Sequence, residues 1–294
     1  MTYVERKKEA FEGRKKSLLL MTFSRLKEDK LAVLGMIIFL IMILAALLAP
    51  FIAPYSYKEQ DLQNVLASPS AQHFFGTDSL GRDIFSRALY GAKYSLSIGV
   101  ISVGVAMLFG CVIGSICGYY GGWADMVIMR IMDLMQSIPD MLLAIAISAM
   151  LGPGFSNCIL ALSISRIPVF IRLMRASLLN LREMEYIDAE IAINASAPRI
   201  MFRHLLPNGI APMIVQSTMA IAGSILVAAS LSFIGLGVQP PLPEWGAMLS
   251  EGREYIRSSP HVVIFPGLMI MITVLAINLF GDGLRDALDP RLKD

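Results

Sequence analysis

Residues Leu31–Ala53 read LAVLGMIIFLIMILAALLAPFIA, an apolar run without a single charge. At about 1.5 Å per helical residue it crosses a hydrocarbon core of about 30 Å with some tilt. It is too long for a signal-peptide h-region and no A-x-A site comes after it, so it reads as a retained helix. Five further apolar runs of similar length and sparse charge lie at about 94–118, 126–151, 157–178, 209–237 and 262–281. Of the 294 residues, 55% are hydrophobic and only 16% are charged, with a mean hydropathy of +0.63. Soluble domains carry about 25% charge. The predicted class is an all-α membrane protein with six transmembrane helices.

Charge placement orients the chain. An even number of spans puts both termini on one side. With that side inside, the inner segments hold seventeen Lys and Arg, nine of them before position 31, and the outer segments hold six. This asymmetry satisfies the positive-inside rule and makes both termini cytoplasmic. The resulting division is a basic cytoplasmic segment 1–30, the first transmembrane helix 31–53 and an external segment 54–93. A core of five spans occupies 94–281, with a cytoplasmic loop at about 179–208 and an external loop at about 238–261. A cytoplasmic tail covers 282–294. In the first segment Phe11, Leu18, Leu19 and Leu26 alternate with Lys15, Lys16, Arg25 and Lys27, which fits a short interfacial helix or a basic tail. There is no aromatic interleaving of the kind that stacks bases, so nucleic acid is not an expected partner.

Several residues inside the spans call for a reading. Gly110, Gly114 and Gly118 repeat at four-residue spacing, which fits a close helix–helix contact as well as ordinary membrane packing. Arg130 and Asp133 stand three residues apart on one helix face, in position to pair. Pro139 removes a backbone hydrogen bond and predicts a kink. Arg166 lies deeper, and either lines a polar cavity or pairs with a carboxylate on a neighbouring helix. These three charged residues are candidate pathway or structural groups. Cys111, Cys117 and Cys158 sit in apolar runs and read as small buried hydrophobes. With His73, His204 and His261 scattered, no metal site is expected.

The loop Tyr186–Asn208, YIDAEIAINASAPRIMFRHLLPN, is the exception to this apolar pattern. Leu178–Ile193 and Arg199–Leu206 read as helices. Asn194 suits a left-handed helix end, Ser196 an N-cap and Pro198 the first turn of the second helix. Pro207 is expected to end that second helix. Ile187, Ile191, Ile193, Ile200, Met201 and Phe202 form an apolar set expected to face a partner's groove.

This loop resembles the coupling loop of binding-protein-dependent ABC importer permeases. The family pattern is Glu-Ala-Ala, a Gly four residues on, then Ile-x-x-x-Leu-Pro. Here Asp188-Ala189-Glu190 takes the first part, Asn194 the Gly, and Leu206-Pro207 the end. Asp for Glu, Glu for Ala and Asn for Gly are departures, of which Asn best preserves a positive-φ turn. His73–Asp83 (HFFGTDSLGRD), Ser232–Gly237 with Trp245–Leu249, and Gly281–Arg291 resemble, in order, further segments of the C-type dipeptide and oligopeptide permeases. The likeness runs from about residue 25 to the end.

The resemblance implies a type I ABC importer permease in the inner membrane of a bacterial cell, importing di- or oligopeptides. It implies a second homologous permease subunit, two ATP-binding subunits and an external substrate-binding protein as partners. Asp188, Ala189, Glu190, Asn194, Leu206 and Pro207 would be the ATPase-coupling residues. No G-x-x-x-x-G-K-[ST] occurs in the chain, so ATP and Mg are expected on the partners, with no cofactor and no catalytic site here. Nickel, a metal chelate or glutathione are alternative cargoes. A secondary transporter would want acidic relay residues and inverted repeats, and an intramembrane enzyme would want a catalytic set; neither pattern is present.

Overall fold

The computed structural model describes residues 24–288. The expected interfacial helix around Phe11, Lys15, Lys16, Leu18 and Leu19, and the last residues of the tail, lie outside them. Helix α1 is Lys30–Ile52, opened by the Asp29 carboxylate, which accepts from the Leu31 and Ala32 N–H groups at 2.8 and 3.2 Å. Then come α2 Ile84–Tyr120, α3 Gly122–Gln136, α4 Asp140–Leu151 and α5 Phe155–Arg182. The cytoplasmic loop contains α6 Glu185–Ala192, α7 Ala197–Arg199 and α8 Leu206–Gly209; α9 Ala211–Phe233, α10 Trp245–Gly252 and α11 His261–Leu288 complete the order.

Helices α1, α2, α5, α9 and α11 are each long and apolar enough to cross a membrane. The third predicted span is not one helix. It is α3 and α4, which meet at 90° across Ser137, Ile138 and Pro139. Pro139 has no N–H to continue α3, and it instead caps α4. The twelve residues of α4 rise only about 18 Å. Alone it is too short to cross a hydrocarbon core of about 30 Å, so α3 and α4 together form a broken span or a re-entrant loop.

The α2 helix has 37 residues and starts ten positions before its apolar run. Its outer turns stand in the external segment. Along its inner half the three glycines make a seam with α5. A methyl on Gly110 would lie 2.3 Å from the Phe170 Cβ, one on Gly114 would lie 2.8 Å from the Met174 Cβ, and one on Gly118 would lie 2.8 Å from the Leu178 Cβ. The spacing therefore serves close approach, and the two backbones touch because nothing stands between them. Around the seam, Val103, Ala106, Cys111, Phe170, Met174 and Leu178 form a continuous core. All three cysteines are buried and free. Leu26 is buried against Ala32 and Ala287, so the described end of the basic segment packs onto the protein there.

Candidate functional site: the cytoplasmic hairpin and its arginine ladder

The loop after α5 folds back as a hairpin. The chain leaves α5 at Arg182, passes Met184 in extended geometry, and turns into α6. The helix expected from Leu178 to Ile193 is thus two helices with a corner between them. Asn194 has φ +59°, the left-handed conformation that its side chain tolerates better than most. Two backbone bonds close the turn: Asn194 N–H donates to the Ile191 carbonyl at 2.9 Å and Ala195 N–H to Glu190 at 3.0 Å. Ser196 occupies the N-cap position but makes no side-chain capping bond; its carbonyl accepts from Ile200 N–H at 3.1 Å instead.

The return leg differs from the expected α-helix. Ile200–Leu205 is a π-helical turn, closed by Leu206 N–H donating to the Met201 carbonyl. Pro207 lies within the first turn of α8 and begins it rather than ending the preceding helix. A widened turn just before a proline accommodates the ring and the missing donor. The Asn208 side chain covers the His204 carbonyl at 2.6 Å.

The hairpin has two faces of different character. Ile187, Ile200, Met201 and Leu205 are buried, and Ile187, Ile200 and Leu205 join the same core as Phe170, Met174 and Leu178. Half of the expected docking set therefore anchors the hairpin to α2 and α5, because the two short legs can only hold their angle by burying one face. Ile191, Ile193 and Phe202 remain outward at 55, 70 and 56% exposure, beside exposed Asp188, Ala189, Asn194 and Pro207, while Leu206 is half-buried. Glu190 points the other way. Its Oε1 stands 3.3 Å from His204 Nε2, an ion-pair distance without hydrogen-bond geometry, and the pair ties one leg to the other. Glu190 thus faces His204 within the hairpin, and the contact is an ion pair only when the imidazole is protonated. At the base, Ser177 Oγ of α5 donates to the Gly209 carbonyl at 3.2 Å.

Above the hairpin, acids of α3 and α4 meet arginines of α5. Arg175 grips Asp125 with two bonds of 2.5 and 2.6 Å. Arg172 binds Asp133 at 2.7 Å. Arg166 lies 3.6 Å from Asp140. The expected Arg130–Asp133 pair does not form; Asp133 turns to Arg172, which approaches from the packed helix. Arg166 takes the carboxylate-paired alternative. Sequence reasoning missed Asp140, Arg172 and Arg175. The available signal was charge balance: acids at 125, 133 and 140 and arginines at 166, 172 and 175 each need a partner in a low-dielectric layer. Hydrogen bonds thus tie α3 to α5 at two points, and Asp140 sets the start of α4 beside Arg166.

At the opposite surface the two external motifs form one body. Asp78 and Glu251 flank Arg82 and Arg87. Arg82 Nε donates to Asp78 and its Nη2 to Glu251, both at 2.7 Å, and Arg87 Nη1 reaches both carboxylates. Arg82, Arg87 and Asp78 are almost wholly buried. Glu244 caps α10 through the Gly246 and Ala247 N–H groups and accepts from Ser95 Oγ at 3.1 Å. Trp245 is fully buried and its Nε1–H donates to the Ala88 carbonyl at 2.9 Å. Gly81 (φ +71°) is required here, since a methyl would fall 1.8 Å from the Asp61 carbonyl oxygen. The Asn64 amide and the Gln63 N–H hold the Asp61 carboxyl below its ordinary range.

Residues 110–294 match the family described as binding-protein-dependent transport system inner membrane component, and residues 17–69 match the N-terminal TM domain of oligopeptide transport permease C. A dipeptide transport system permease protein of Alkalihalophilus pseudofirmus is 51% identical over 92% of this chain and 89% of its own length. A glutathione transport system permease protein of Pectobacterium atrosepticum is 47% identical over 92% of this chain and 90% of its own. The inward-facing MetNI methionine ABC transporter superposes with a TM-score of 0.54 at 18% identity, covering 70% of this chain and 98% of that one, which supports the type I importer fold. With a helical bundle, an exposed cytoplasmic hairpin and these matches in agreement, the chain belongs to the binding-protein-dependent transport system inner membrane component family and is a multi-pass permease subunit of a bacterial ABC importer.

Proposed function

We propose that this chain is one of two non-identical permeases lining a pathway for di- or oligopeptides, driven by two ATPase subunits that hold ATP and Mg. An external binding protein would deliver the cargo to the surface built by 54–93 and 238–261. The chain contributes no catalytic group of its own. One observation carries the coupling role: the hairpin's inner face is continuous with the α2–α5 core, while Ile191, Ile193 and Phe202 face outward. A partner that moves the outer face must move α5, and the bonded Arg175–Asp125 and Arg172–Asp133 contacts pass that motion to α3. The peptide reading rests on the 51%-identical dipeptide permease. Glutathione, itself a small peptide, is the second reading, favoured by relatives at 47 and 48% identity.

The test uses the complete transporter in proteoliposomes. Asn194→Pro forces φ to about −65° where the turn needs +59°. Ala189→Arg adds bulk and charge to the exposed face. Both are expected to insert and assemble yet lose uptake driven by hydrolysis. Normal substrate-stimulated ATPase activity with normal uptake in either variant contradicts the coupling role.

A further inference from the structure

The Arg166–Asp140 contact differs from the other two rungs of the ladder. Those are hydrogen-bonded at 2.5–2.7 Å, whereas this one stands open at 3.6 Å and the Arg166 guanidinium makes no hydrogen bond to any described residue. Its depth also differs. Arg166 is about 16 Å along α5 from that helix's outer end, roughly half of the hydrocarbon core. Asp140 opens α4 at the 90° break and reaches the same level from another helix. Two opposite charges are therefore held at mid-membrane on separate elements, partly uncovered at 17 and 43% side-chain exposure. Charges at this depth are costly and persist where they face a cavity.

An apolar cavity lies next to the pair. A space of about 500 Å³ is lined by Met141 and Ile145 of α4 and by Leu226, Ser230 and Phe233 of α9. Asp140 directly precedes Met141, and Gly223 lies one turn inward of Leu226. Gly223 leaves room for the guanidinium: a methyl there would be 3.0 Å from Arg166 Nη2. Neither charged residue lines this mostly apolar space; Asp140, next to Met141, and the guanidinium over Gly223 place the pair beside its inner edge.

We propose that Arg166 and Asp140 form a station that receives the two ends of a zwitterionic peptide during passage. The guanidinium fork takes the terminal carboxylate, and Asp140 takes the terminal ammonium. A zwitterion answers both charges at once, so no net charge enters the low-dielectric layer, and the open pair costs less to separate than a bonded one. The side chains of the peptide lie in the apolar chamber. This inference rests on the peptide reading above.

The experiment measures uptake of dialanine by the complete reconstituted transporter with saturating binding protein, for wild type, Arg166→Gln, Arg166→Lys, Asp140→Asn and the double variant Arg166→Gln/Asp140→Asn. Co-purification with the partner subunits reports folding. Each single variant is expected to assemble and to lose uptake by about tenfold or more. Arg166→Lys loses it too, because it keeps the charge but not the fork. The double variant stays impaired, since both peptide contacts are gone. A pair that only neutralises itself behaves oppositely: Lys suffices, and removing both charges restores uptake, which would overturn the station while leaving peptide import intact. Wild-type assembly that imports no dialanine removes the peptide reading, and the station with it.

Discussion

Adding one methyl to Gly110 should loosen the joint on which the hairpin depends. The new carbon would lie 2.3 Å from the Phe170 Cβ and 2.9 Å from its carbonyl carbon. Neither is the end of a flexible side chain, so the α2 and α5 backbones must part. Overpacking of this kind costs about 1–3 kcal/mol. The better helix propensity of alanine returns about 0.5–1 kcal/mol. The net loss is up to about 2.5 kcal/mol, which for a chain of this size lowers the heat-inactivation midpoint by up to about 10 °C. Gly114→Ala and Gly118→Ala, with nearest atoms at 2.6 and 2.8 Å, should rank behind it in that order. Gly104 lies on the same helix with nothing within 4 Å of its missing methyl. Gly104→Ala should therefore match or exceed the parent. Thermal unfolding of the four purified variants, monitored by loss of monodispersity, gives the comparison. If Gly110→Ala is as stable as Gly104→Ala, the seam is not a close contact and the rigid link between α2 and α5 fails.

The same geometry sets expectations elsewhere in the chain. Asn194→Gly should preserve uptake coupled to hydrolysis and slightly stabilise the turn, whereas Asn194→Val should cost about 1–2 kcal/mol at a positive φ and reduce transport per ATP hydrolysed. Arg87→Met leaves two carboxylates short of a buried partner; a loss of about 3–5 kcal/mol should appear as poor accumulation of folded protein in membranes. Arg257→Ala, on the exposed external loop, should change stability by no more than about 0.5 kcal/mol in the same measurement.

The layers of this fold were legible in the sequence because lipid imposes a harsh rule: long apolar runs with few charges. The break at Pro139 and the positive φ at Asn194 were legible too, since both arise from the covalent structure of one residue. Pairings were not. Asp125 meets Arg175 across 50 positions and Arg87 meets Glu251 across 164, separations with no periodic trace. The local pair suggested by the Arg130–Asp133 spacing lost to Arg172, because the packed α5 offered a guanidinium at 2.7 Å. The two faces of the hairpin also escaped pattern reading. A leg of eight residues makes barely two turns, so Ile187 and Ile191, one turn apart, fell into one apolar set although one is buried and the other exposed.

The central claim is that the outward face of the hairpin docks on an ATPase subunit while its inward face holds it to α5. A photoreactive amino acid placed singly at Ile193, Phe202 or Ile187 in the assembled transporter tests this directly. Positions 193 and 202 are predicted to form adducts with the ATPase subunit, and position 187 only adducts within this chain. Adducts to the ATPase from 187, or none from 193 and 202 in an assembly that hydrolyses ATP and transports, would contradict the account.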